Sequence, residues 1–150
     1  MPDSVTEALE GDWDDAQVRD AALRLRSHGG LAWLDADGSD AGRRLYLGAA
    51  PVETLRVPWG DDALQRLEAL TQGGDGRPQW IGYVAYDAFW ARSAEPRMAR
   101  GDWPVLLLHR YDALVEVDLH LKQARLLADD PAALAAAIVG QDPGEQFITL

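Results

Sequence analysis

The run Trp80-Ile81-Gly82-Tyr83-Val84-Ala85-Tyr86-Asp87-Ala88-Phe89-Trp90 constrains the fold more than any other stretch of this chain. It holds five of the twelve aromatic residues in eleven positions, with a single charge. Its first half is aromatic and β-branched, which predicts a strand buried on both faces rather than a strict in-out alternation. Asp87 follows, where a carboxylate can bond backbone amides and turn the chain. Gly82 within such a strand predicts a backbone or bulky ring packed closely against it.

The segments on either side supply the partners such a strand needs. Residues 1–13 read as a polar lead-in with Trp13 as an anchor. Asp14 or Asp15 can accept the unpaired amides of a helix running to about Ser27, with Val18, Ala22 and Leu25 at helical spacing. Gly29-Gly30 stops it. Leu31 to Asp35 and Gly42 to Gly48 read as a strand pair joined by the turn residues Asp37-Gly38-Ser39-Asp40. Val52 to Val57 is a further short strand. Asp61 or Asp62 caps a second helix with Ala63, Leu64, Leu67 and Leu70 on one face. Glycine-rich 73–78 leads into the aromatic strand, and polar 91–102 reads as an exposed loop. Val105 to His109, Ala113 to Val117 and Gln123 to Ala128 are strand-like. Asp130-Pro131 starts a third helix over 132–139, and 140–150 is a tail. Helices and strands do not alternate regularly, so the expected class is α+β: a single domain over 14–139, largely antiparallel, with about three flanking helices.

Charge excludes several functions. The net charge is −11, and no basic block occurs, so nucleic-acid and anionic-membrane partners are not expected. No apolar run approaches the ~20 residues of a membrane helix. The first residues lack the basic-then-apolar order of a signal peptide, so a cytoplasmic location is expected. The absence of cysteine removes thiolate metal sites, disulfides and cysteine nucleophiles together.

No catalytic constellation emerges from the residues. The acid pairs Asp14-Asp15, Asp61-Asp62 and Asp129-Asp130 all fall at expected helix starts, where capping explains them. His28, His109 and His120 lack ligand spacing. Gly42 to Gly48 has spaced glycines but neither the lysine nor the following helix of a phosphate loop. Arg43 and Arg44 are the best anion-binding candidates, because guanidinium groups grip carboxylates bidentately; the plainer reading is solvated hairpin charge.

Three segments together resemble one family. Gly42-Arg43-Arg44-Leu45-Tyr46-Leu47-Gly48-Ala49-Ala50-Pro51-Val52-Glu53-Thr54-Leu55 is similar to the "GRYSFIGADPxxTL" stretch of anthranilate synthase component I and aminodeoxychorismate (para-aminobenzoate) synthase component I. Trp80 to Asp87 resembles their "GGxxGYxGYD" segment. Leu108 to Ala113 and Val115 to Asp118 resemble the "YDxxxVFD" strand that follows. The likeness runs from Leu31 to Leu127 and covers only the N-terminal domain of those enzymes.

The resemblance implies a non-catalytic module or split subunit. It would pack on a chorismate-binding catalytic domain or chain, with a glutamine amidotransferase subunit as a second partner. Magnesium belongs to that catalytic domain, which nothing in these residues resembles, so no cofactor and no catalytic residue is expected here. Many relatives hold tryptophan on an "LLES" or "LLDS" strand, onto which Trp33-Leu34-Asp35-Ala36 falls. The corresponding pocket residues are Leu34, Asp35, Ala36, Arg44 and Tyr83. Ala36 replaces the serine hydroxyl, Arg44 and Leu45 replace tyrosine and serine, and Ala50 and Ala85 replace aspartate and glycine. Asp35 in place of glutamate and the lost serine lean slightly toward the folate branch rather than the tryptophan branch. A stand-alone sensor of tryptophan-like ligands is the alternative, and an independent enzyme ranks last.

Overall fold

The computed structural model describes residues 5–35, 42–59, 62–72, 79–86, 88 and 103–128. The chain forms two compact units, with the second, Val52–Arg110, inserted between two halves of the first. Among the described residues, two helices and eight antiparallel strands in two sheets make the class α+β, as the sequence implies. The helix expected over 132–139, the tail, the 91–102 loop and the turn at 37–40 lie outside the described residues.

The first unit is a five-stranded sheet with one helix. Its strands are β1 (Val5–Leu9), β2 (Ala32–Asp35), β3 (Arg44–Gly48), β7 (Ala113–Asp118) and β8 (Gln123–Ala128), in spatial order β1-β8-β7-β3-β2. Between β3 and β7 the chain makes the second unit, with β4 (Glu53–Val57), β5 (Trp80–Val84) and β6 (Leu106–Arg110). Helix α1 (Asp15–Arg26) begins where the Asp14 carboxylate accepts the amides of Ala16 at 3.0 Å and Gln17 at 2.9 Å. It ends at Gly29 and Gly30, both at positive φ, a region open to glycine because it has no Cβ. Its apolar stripe Val18, Ala21, Ala22 and Leu25 is buried in one cluster with Leu45 and Leu47 of β3, Val115 and Val117 of β7, and Leu126 of β8. Side chains alternate across a strand, so the partners of these residues in sequence (Arg44, Tyr46, Glu116 and Arg125) face the other side of the sheet.

The polar lead-in expected over 1–13 is corrected by β1, which pairs with β8 from Val5↔Ala128 to Leu9↔Ala124. Only Leu9 of its described side chains is buried, and Glu7 stands exposed. Too little of the strand is apolar for its period to show, and backbone pairing holds it. Trp13 is the anchor its sequence position implies: 1% exposed, with its backbone amide donating to the Lys122 carbonyl at 3.1 Å.

The second unit sets α2 (Ala63–Thr71) with a three-stranded sheet ordered β4-β6-β5. Asp62 caps α2 by accepting the Gln65 amide at 3.0 Å. Val57, Ala63, Val105, Leu106 and Leu108 form its core, with Trp80, Val84, Leu67 and Leu70 half-buried around them. The aromatic strand β5 is therefore an edge strand, half-covered, and not the doubly buried strand its composition predicts. The central, better-buried strand is β6. The glycine expectation holds. Gly82 pairs with Leu108, and a Cβ on it would collide with the Leu107 carbonyl oxygen and lie 2.8 Å from the Leu108 Cα. Among the described residues no helix is long and apolar enough to cross a membrane.

Candidate functional site

The residues named from sequence divide between the two units, and those of the first fall on opposite sides of its sheet. Leu34 and Asp35 end β2, an edge strand, and Ala36 lies outside the described residues. Asp35 pairs in register with Leu45 and so lies on the helix side of the sheet; Leu34 pairs with Tyr46 and lies on the opposite side with Arg44. Arg43, not Arg44, takes Asp35: its Nε donates to Oδ1 at 3.0 Å and its Nη2 donates to Oδ2 at 2.5 Å. That bidentate grip holds the Asp35 carboxyl below its ordinary value; burial opposes the shift, and the guanidinium charge adds to it. Tyr83 belongs to the second unit, where its hydroxyl donates to the Pro104 carbonyl at 3.3 Å and its ring meets Trp103 at 6.4 Å.

Arg44 instead enters a group that sequence reading does not assemble. Glu116 of β7 is 6% exposed, and no other charged side chain among the described residues is buried. Arg125 stands directly opposite it on β8, and its Nη2 donates to both carboxylate oxygens at 3.0 Å. Arg44, from β3 on the other side, brings Nη1 to Oε1 at 3.3 Å. Both guanidinium side chains remain about half exposed. Arg125 faces Glu116 directly, where Cβ atoms are only ~5 Å apart, and Arg44, in register with Asp118, reaches it along the diagonal that long side chains span.

These three residues line a trough of about 690 Å³ on the side of the first unit's sheet opposite α1. Thr6, Ala8, Asp118 and Gln123 complete its strand-borne walls, and Leu121 stands exposed beside them. The Asp118 carboxylate accepts the amides of His120 at 3.0 Å and Leu121 at 2.9 Å, which shapes the β7–β8 turn. A buried carboxylate on this face is costly to desolvate, and two guanidinium groups offset that cost. The available signal was the alternation Leu114-Val115-Glu116-Val117-Asp118. It shows a polar face on β7 but not which strands flank it.

His28 and His120 belong to the first unit and His109 to the second. His109 Nδ1 and Thr54 Oγ1 share a 2.8 Å cross-strand hydrogen bond, and the neighbouring acid Glu53 is held by Arg110 at 3.1 Å. Among the described residues no cluster of three or more His, Asp or Glu side chains could hold a metal ion. No family model matches the chain, and comparison with curated proteins yields no significant match.

Proposed function

We propose that this chain is a non-catalytic packing module similar to the N-terminal domain of chorismate-aminating synthases, working in the cytoplasm beside a chorismate-binding catalytic domain or chain. The folate branch is favoured over the tryptophan branch, and a glutamine amidotransferase subunit is the second expected partner. Apolar side chains left uncovered on β2 and its approach carry this reading. Leu31 is 36% exposed, Trp33 47% and Leu34 50%, and they are consecutive or nearly so on an edge strand. Trp33 and Leu34 lie on opposite sides of the sheet, and apolar side chains exposed on both faces of an edge strand of a highly acidic chain fit a strand that is covered in an assembly. The three segments carrying the resemblance span β3 to β4, β5, and β6 to β7, which include all three strands of the smaller sheet and two inner strands of the larger one.

The test is reconstitution. The purified chain is mixed with a separately produced chorismate-binding catalytic domain, and association is followed by sedimentation and by ammonia-dependent conversion of chorismate. Co-sedimentation that is lost in Trp33→Asp, together with a gain in turnover, supports the module. Independent sedimentation with unchanged turnover refutes it.

A further inference from the structure

We infer that the trough on the side of the five-stranded sheet opposite α1 is a binding site for a small monocarboxylate with an apolar body. This inference is independent of the packing role proposed above. Two observations carry it. Glu116 is held at the trough floor by one nitrogen of Arg125 and one of Arg44. The remaining guanidinium N–H groups of both arginines have no other protein partner among the described residues, and both side chains are half exposed at the trough. A guanidinium fork anchored on one edge by a buried carboxylate is preorganised for a second carboxylate on its open edge, since little side-chain freedom remains to be lost.

The lining limits what can bind. Arg44 and Arg125 are opposed by Glu116, Glu10 and Asp118. These side chains carry two positive and three negative charges, a net of −1, so a dianion is opposed more strongly than a single carboxylate on the open guanidinium edges. Ala8 and the exposed Leu121 give an apolar flank for the ligand's body, and Thr6 and Gln123 offer hydrogen bonds. About 690 Å³ lies within the usual range for small-molecule sites. No covalent step is implied.

The experiment is a titration of the full chain with benzoate, succinate and inorganic phosphate, observed through the arginine side-chain N–H resonances and by calorimetry. Saturable binding of benzoate is expected, with the Arg44 and Arg125 signals shifting together, and with succinate and phosphate at least about tenfold weaker. Arg44→Lys keeps the ion pair to Glu116 but removes the fork. It is expected to weaken benzoate about tenfold at unchanged thermal midpoint, whereas Arg19→Gln on α1 leaves binding unaltered. Absence of saturable benzoate binding overturns the inference. So does binding that Arg44→Lys leaves unchanged, or equal binding of all three anions, which marks nonspecific charge attraction.

Discussion

Replacing Arg125 by methionine, and Arg44 by methionine with it, probes how a buried carboxylate is tolerated on this sheet. Glu116 has only 7% of its side chain exposed and two cationic partners at 3.0 and 3.3 Å. A unit charge pair about 4 Å apart interacts by about 4 kcal/mol at the effective dielectric of a protein surface. Half-exposed guanidinium groups are screened by water, so each single loss should cost only about 1–2 kcal/mol. Removing both leaves the carboxylate buried without a counter-charge, a condition that costs about 3–5 kcal/mol. The double variant should therefore fall by more than the sum of the singles, and Glu116→Gln added to it should restore part of the loss. Urea midpoints at pH 7 for the four combinations give the coupling energy directly. Strict additivity, or a double variant within about 0.5 kcal/mol of the parent, would refute the claim that the arginines stabilise Glu116 in its buried position.

Three further expectations follow from the geometry. Gly82→Ala should destabilise by about 1–3 kcal/mol in denaturant titration, because the obstruction is the Leu107 carbonyl of the central strand and not a side chain that can rotate away. Trp13→Ala should cost about 3–5 kcal/mol, as it empties a site that is 1% exposed. The pH dependence should have two separable limbs. Burial raises the Tyr111 phenol above its ordinary 10.0, so its contribution is complete below that value and is lost as pH rises through the folded-state value. Tyr111→Phe should remove that alkaline limb while losing about 1 kcal/mol at neutral pH with the 3.0 Å bond to the Gly30 carbonyl. Asp35 has a lowered value, so its contribution is present above 3.8 and is lost as pH falls through the folded-state value. Arg43→Gln should flatten that acid limb by well under about 1 kcal/mol, because the pair is partly exposed. Midpoints measured from pH 3 to 11 separate the two.

Local chemistry was legible wherever a few adjacent residues decide the outcome. Asp14 and Asp62 cap the helices assigned to them, Gly29-Gly30 stops α1, and the β2–β3 pair forms as the turn residues suggest. Burial was not legible where it depends on strand order. Trp80 to Val84 has the composition of a doubly covered strand, yet its place beside β6 leaves it at an edge, and no neighbour in sequence reveals that. Partner choice failed for the same reason. Arg43 and Arg44 are adjacent, but the pleat sends them to opposite sides, one to Asp35 and the other to Glu116. Arg125 lies nine residues from Glu116, too far for any helical or local spacing to suggest the contact.

The insertion of Val52–Arg110 between β3 and β7 also orders events in time. During synthesis, β3 leaves the ribosome long before the strand that pairs with it, and β1 waits longer still for β8. At about 5–20 residues per second the first half of the larger sheet is exposed for several seconds, while the inserted unit already has all its strands. Closing the larger sheet means joining segments far apart in the chain, which is intrinsically slow. The inserted unit is thus positioned to fold first and to bring β3 and β7 to a common starting point. The acidic character of the chain would help keep its unpaired first strands soluble during that wait.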